Sequence, residues 1–345
     1  MSKLTNCILN KDPYCTPVWF MRQAGRYLPE FKKIRSENQD FIKLCLNSDL
    51  SSEITLQPLK RFNLDAAIIF SDILMIPYGL GQEVKFEKNK GPILSEFNQK
   101  IFLKNDKNNF TKRLKPVYEA IRKTRKKLDK NKSLISFVGA PWTLAVYMLG
   151  LKKNKNEIDL NKLKEKESEL KLIIPKLNEY LCTHLENQIN AGADTVQIFD
   201  SWAGLIPNQN LHDYCYIPNK KIVEFCKEKK TPVICFPRGI NKNYLPFAEI
   251  VKPDCLNLDY EIDPFWAKIN LKSFCLQGGM NPMILLKSEK EIFNEVDRYL
   301  TIFKGVPYIF NLGHGLLPET NPNVLNKVME RVNNLKHNPC ASGCL

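Results

Sequence analysis

TVQIFD, residues 195–200, is a short apolar and β-branched run that ends on an aspartate and passes straight into the turn Ser201-Trp202-Ala203-Gly204. Such a run suits a parallel strand buried on both faces. Working outward, the same kind of segment recurs at about 17–20, 65–70 (DAAIIF), 134–139 (LISFVG), 232–237 (PVICFP), 255–260 (CLNLDY), 274–279 (FCLQGG) and 308–313 (YIFNLG). Each is followed by a Gly, Pro or polar turn and then by helical periodicity. Eight such units predict an α/β fold, a single-domain (β/α)8 TIM barrel.

The stretches between the strands support this. Ser48 is placed to cap a helix whose Leu50, Ile54 and Phe62 share a face, and Pro58 is expected to kink or interrupt it. Residues 111–129 read as a basic helix with Leu114, Val117, Tyr118, Ile121 and Leu128 inward. The stretch 161–191 carries Leu177, Leu181, Leu185 and Ile189 at helical spacing and stops at Gly192. Helices are also expected at 213–229 and 321–336, and residues 84–95 read as a β excursion near the barrel mouth. No linker or composition shift marks a second domain, so residues 1–345 are expected to form one domain with a core of about 12–336.

The chain carries a formal charge of +14. That excess suits a polyanionic partner, but Lys- and Asn-rich helix surfaces such as KLDKNK account for most of it. No segment approaches the roughly 18 apolar residues of a membrane helix, and the first fifteen residues lack an apolar signal-peptide core. A cytoplasmic location is the expectation. Eleven cysteines are scattered without Cys-x-x-Cys pairs, which reads as buried reduced thiols. Cys340 and Cys344 stand apart in a polar tail.

In a barrel, functional side chains collect just after the carboxyl ends of the strands. Those positions hold Arg22 and Arg26, Ser71-Asp72, Gly139 to Trp142 with Tyr147 a turn later, Asp200-Ser201, Arg238-Gly239, Asp259, Gly278-Gly279 and Gly313-His314-Gly315. Two arginines four apart around Ala24-Gly25 suit carboxylate binding, because a guanidinium fork pairs with a carboxylate through two parallel hydrogen bonds. Asp72 reads either as a cap for the next helix or as a carboxylate at the mouth of an apolar pocket. Tyr147 suits core packing or ligand contact equally. His314, between two glycines, fits function better than packing. His184 reads as structural, His212 and His337 as surface residues, and Asp200 and Asp259 as salt-bridged rim residues. No spaced His/Cys ligand set, no GxGxxG after a strand and no Walker loop is present. Arginines, a carboxylate, a tyrosine, a serine and a histidine remain, a set suited to a multiply anionic substrate without a cofactor.

WFMRQAGRYLPEF, TLQPLKRFNLDAAIIFSDIL, GAPWTLAVYML, QIFDSWAG and NLGHGLLPETNP together resemble the uroporphyrinogen decarboxylase family, in the same order and over about residues 12–336. The resemblance implies a (β/α)8 barrel that is usually a homodimer with facing clefts. It implies stepwise loss of CO2 from the four acetates of uroporphyrinogen III to give coproporphyrinogen III in haem biosynthesis, with no metal or organic cofactor. By motif it assigns substrate binding to Arg22, Gln23, Ala24, Gly25, Arg26, Arg35, Asp72, Tyr147, Ser201 and His314, with Phe31 and Phe199 as walls. Asp72, Arg22, Tyr147 and His314 are the expected catalytic residues. An ionised Asp72 would stabilise the cationic pyrrole intermediate, and the proton could come from Arg22, Tyr147, His314 or a bound water. A zinc-dependent methyltransferase on the same barrel and a basic nucleic-acid-binding protein are the rival readings. The first lacks an H-x-C or C-x-C ligand pair, and the second lacks interleaved aromatic and basic residues.

Overall fold

A computed structural model describes residues 1–87, 91–154 and 156–337. Seven strands lie side by side in chain order: Ala66–Ile68, Ser133–Gly139, Thr195–Asp200, Val233–Pro237, Cys255–Leu258, Cys275–Gly278 and Tyr308–Ile309. All their pairings are parallel, as helical crossovers between neighbours require.

The first expected strand, 17–20, is reduced to one parallel bridge between Val18 and Phe310. It still closes the barrel. Phe310 N–H donates to Pro17 O at 2.8 Å on one side, and Asp65 N–H donates to Val18 O at 2.9 Å on the other. Asp65 Oδ2 accepts from Val18 N–H at 2.8 Å. A longer ladder cannot form because its donors are committed elsewhere. Pro17 has no N–H, the Phe20 N–H goes to Gln23 Oε1 and the Met21 N–H goes to Asn311 Oδ1. The last strand is likewise short, with one further bridge between Met280 and Leu312.

The helices depart from expectation in three places. Asn47, not Ser48, caps the helix Ser48–Arg61, its Oδ1 accepting from Asp49 and Leu50. That helix continues through Pro58, which falls in its final turn, where a lost N–H costs one bond near a frayed end. The expected 161–191 helix is two, Leu160–Glu165 and Glu167–Asn190, because Asp159 caps the first and Lys166 leaves helical geometry. The stretch 213–229 opens with a π-helical turn, His212–Tyr216, before the helix Ile217–Glu228. The basic helix spans Lys107–Lys127 with its expected inner residues buried. The β excursion is an antiparallel hairpin, Val84–Glu87 with Gly91–Leu94, and residues 88–90 lie outside the described residues. Cys340, Cys344 and the side chain of His337 also lie outside them. The nine described cysteines are free thiols, seven of them buried.

The barrel interior is layered, as stacked inward side chains from successive strands dictate. At the floor, Leu4, Cys7 and Ile8 of the helix Lys3–Leu9 pack with Trp19, Ile135, Ile234, Cys255, Cys275 and Ile309. Next come amides. Trp19 Nε1–H donates to Gln277 Oε1 at 2.9 Å, and Gln277 Nε2 donates to Gln197 Oε1 at 3.1 Å and to Asn257 Oδ1. All four are fully buried. Toward the carboxyl ends, Phe199 meets Phe137 and Phe236 edge-on, with centroids 5.6 and 6.3 Å apart.

The floor helix is therefore part of the core. Leu4→Ala should destabilise the fold by about 2–5 kcal/mol, read as a lower urea midpoint with an unchanged slope; an unaltered midpoint would show that the helix contributes no buried core.

Candidate active site

Arg22 sits on a turn closed by Gln23 N–H to Phe20 O at 3.0 Å, with φ +62°. Glycine or asparagine normally takes such a position, so neighbouring bonds must hold the arginine there. Asn311 Oδ1 accepts from Met21 N–H at 3.0 Å, Leu316 N–H donates to Met21 O at 2.9 Å, and the Gln23 amide spans Phe20 N–H and Ala66 O. Gly25 is required locally, since a Cβ there would lie 2.6 Å from Arg22 O. Gly315 makes room for the Arg22 side chain, whose Nε would lie 2.8 Å from a Cβ at 315. The glycine before His314 has a different reason: a Cβ on Gly313 would meet Asp259 C at 2.7 Å.

The arginine loop, Asp72, Tyr147 and His314 converge at the strand ends, close enough for their charges to act on one another. Arg22 keeps surface open to the cleft, yet desolvation by the surrounding protein lowers its pKa, and Arg26 adds to the effect. Asp72 is half-buried; Oδ1 accepts from Leu74 N–H at 2.8 Å, and among the described residues Oδ2 has no protein partner. Asp72 therefore does not cap the helix Met75–Gly79, whose N-cap is Leu74 without a side-chain cap bond; one oxygen closes a turn ahead of that helix and the other has no protein partner among the described residues. Burial raises its pKa to about 6, against the Leu74 N–H and Arg22, which lower it.

Tyr147 lies on the helix Pro141–Met148, half-buried, with its ring edge-on to Trp202 at 6.0 Å. Burial raises its phenol, and Asp72 adds to the rise. Asp200 fixes that helix to the next strand end: Thr143 Oγ1 donates to Asp200 Oδ1 at 2.7 Å, and Trp202 N–H donates to Thr143 Oγ1 at 3.1 Å. Ser201 follows, half-buried at the rim. His314 is half-buried and pushed down to about 4, first by burial and then by Arg22 and Arg238. In the free site it is a neutral imidazole.

Four sequence assignments change. Gln23 is fully buried with its amide engaged by backbone, so its side chain shapes the Arg22 turn and does not face the cleft. Phe31 is buried against Phe70 at 5.6 Å and braces the wall from behind. Arg35 Nη1 donates to Asn38 O, closing its own helix end. Asp200 and Asp259 form no salt bridge among the described residues; Asp200 also takes Asn219, and Asp259 takes the backbone N–H groups of Gly239, Glu261 and Ile262. Phe199 stays at the top of the interior and Ala24 beside the loop, both partly buried. His184 is structural as expected, held between Tyr118 and Gln188 at 2.9 Å each, and His212 is exposed. Among the described residues no group of three or more His, Cys, Asp or Glu is placed to hold a metal ion, and no helix is long and apolar enough to cross a membrane.

A parallel β/α barrel whose mouth holds arginines without ion pairs among the described residues, and Asp72 and Asp200 both raised by burial to about 6, is the architecture of an enzyme for anionic substrates. The sequence matches the uroporphyrinogen decarboxylase (URO-D) family model over residues 1–335, and the chain belongs to that family. It is 41% identical over 309 residues to the uroporphyrinogen decarboxylase of Rickettsia bellii, covering 89% of this chain and 91% of that protein. It is 37% identical over 340 residues to the enzyme of the same name from a Jannaschia species, covering 96% and 98%. Among solved structures, a methyltransferase from Methanosarcina mazei superposes with a TM-score of 0.74 over 96% of this chain and 98% of that one. At 14% identity that likeness concerns the fold alone.

The raised pKa of Asp72 has a stability consequence whose sign is set by linkage. The folded state holds this proton more tightly than the unfolded chain, so the group's contribution is fully present below about pH 4 and is lost as pH rises through about 6. Asp72→Asn removes the cost of the buried charge. The variant should exceed wild type by about 2–3 kcal/mol at pH 8 and by about half of that at pH 5. Urea unfolding at the two pH values reads the difference, and equal increments at both would show that Asp72 titrates normally.

Proposed function

We propose that this chain removes CO2 from the four acetate side chains of uroporphyrinogen III, giving coproporphyrinogen III in haem and porphyrin biosynthesis. The observation that carries the reading is a half-buried carboxylate, Asp72, set beside Arg22 at the mouth of a barrel of this family. The substrate bears eight carboxylates, and Arg22 and Arg26 offer guanidinium groups with no ion pair among the described residues.

Loss of CO2 from an acetate on a pyrrole needs an electron sink. Protonation of the pyrrole α-carbon makes the ring a cationic, azafulvenium-like sink. The acetate C–C bond then breaks, its electron pair enters the ring and CO2 departs. The exocyclic methylene takes up a proton to become methyl, and the α-carbon gives one back. An ionised Asp72 facing the pyrrole N–H groups stabilises that cation, which is electrostatic preorganisation with the sign of an oxyanion hole reversed.

Arg22 and Arg26 hold carboxylates, Tyr147 and Ser201 hydrogen-bond the substrate, and neutral His314 donates to a propionate. Ala24 and Gly25 let the ring approach the arginine loop. Of the four proton sources considered, the shift disfavours His314, whose imidazolium is destabilised here, and Arg22, Tyr147 and a bound water remain. The proposal includes a cytoplasmic homodimer, both terms resting on the family resemblance and open to light scattering and cell fractionation. The chemistry uses the protein's own side chains with no cofactor, and nucleic acid and membranes have no part in it.

Anaerobic turnover of uroporphyrinogen III by wild type and Asp72→Ala tests the reading. Wild type should form coproporphyrinogen, and the variant should lose about 10²–10³ in rate. Product from wild type with an undiminished Asp72→Ala would keep the reaction and discard Asp72 as its stabiliser. A folded wild type that forms no product would discard the function.

A further inference from the structure

Ten arginines occur in the chain. Six are committed to protein acceptors: Arg35 to Asn38 O, Arg61 to Glu30, Arg113 to Gly79 O, Arg125 to Asp194, Arg298 to Glu295 and Arg331 to Asp297. Of the remaining four, Arg122 is exposed on a helix surface. The other three, Arg22, Arg26 and Arg238, follow strand segments at the barrel mouth. Arg22 and Arg26 belong to the motif loop. Arg238 does not, and the functional reading above leaves it without a task.

Its surroundings are built with care. Arg238 N–H donates to Asp200 O at 3.1 Å, Gly204 N–H donates to Arg238 O at 2.8 Å, and the following Gly239 N–H donates to Asp259 Oδ2 at 2.7 Å. Gly204 and Gly239 pack backbone to backbone, so closely that a Cβ on Gly204 would sit 2.6 Å from Gly239 O. The backbone of residue 238 is thus clamped between two neighbouring strand ends. Among the described residues neither acid at these strand ends forms an ion pair with the side chain, and their oxygens accept from neutral donors. Asp200 Oδ1 and Oδ2 accept from Thr143 and Asn219, and Asp259 accepts from Gly239, Glu261, Ile262 and the Tyr244 hydroxyl. A half-buried guanidinium with no anion is costly unless a ligand supplies one.

We propose that Arg238 is a third carboxylate-binding residue, engaging a substrate carboxylate at the carboxyl end of the strand Val233–Pro237. Its positive charge also reaches His314 and Arg22, where it adds to the downward pressure on both pKa values. An incoming carboxylate at Arg238 relieves that pressure. The proposal rests on the decarboxylase reading for the identity of the ligand.

The test is steady-state anaerobic turnover of uroporphyrinogen III by wild type, Arg238→Gln, Arg238→Lys and Arg122→Gln, each checked by thermal unfolding, at low and high salt. Arg238→Gln should raise KM about ten- to hundredfold with kcat within about threefold of wild type, the effect of losing one charge-assisted hydrogen bond to the bound substrate. Arg238→Lys should recover part of the affinity. Added salt should weaken the substrate affinity of wild type more than that of Arg238→Gln, since the variant has one fewer ionic contact to screen. Arg122→Gln, with the same change in net charge, should behave as wild type. A KM for Arg238→Gln equal to wild type overturns the proposal, as does an equal rise in Arg122→Gln, which would place the effect in the general field of the protein. If Arg238→Gln unfolds, Arg238→Lys decides: a folded lysine variant with wild-type KM and wild-type salt response overturns the proposal. Absence of product from wild type would instead overturn the decarboxylase reading.

Discussion

Concentrating positive charge that no ion pair holds among the described residues is the constraint around which this molecule is built. Arg22, Arg26 and Arg238 repel one another at the barrel mouth, and Asp72, raised by burial to about 6 yet mostly ionised near neutral pH, attracts Arg22 without an ion pair. Such an arrangement survives only if the backbone beneath it cannot relax. Asn311 and Gln23 therefore fix the turn that carries Arg22 in a left-handed conformation. The oxygens of Asp200 and Asp259 accept hydrogen bonds that tie strand ends together. The mouth is stable as scaffolding and unsatisfied as chemistry.

The layered interior explains how that tension is supported from below. An apolar floor stapled by an N-terminal helix carries a ring of buried amides, and the amides carry the aromatic layer under the cleft. Amides are neutral, so they lend direction to the backbone without adding to the local charge. Each satisfied bond in that ring narrows the positions that Trp19 and the following arginine loop can occupy.

Much of this was legible in the chain itself. The strand at 195–200 appears with its expected limits, because a run buried on both faces leaves an unmistakable apolar signature. The rim residues could be read off because they interrupt that signature. The weak first strand was not legible: its donors are diverted to the side chains of Gln23 and Asn311, and Asn311 lies 290 residues downstream of Met21. The interior amides were equally hidden, since Gln197, Asn257 and Gln277 sit inside apolar strands and become partners only when the barrel closes. The family motif places Gln23 in the binding loop, but its side chain is buried and bonded to the backbone of Phe20 and Ala66, which a motif does not reveal. Arg238 was visible at a strand end, but its lack of a counter-ion is a property of three dimensions.

The unpaired arginines give the reaction a built-in direction of traffic. Uroporphyrinogen arrives with eight negative charges and coproporphyrinogen departs with four, while the protein's positive charge stays constant throughout. Each CO2 lost carries away one handle by which the macrocycle is gripped. On the proposed reaction the electrostatic attraction to the mouth weakens with each acetate lost, which favours release of the finished product over its rebinding.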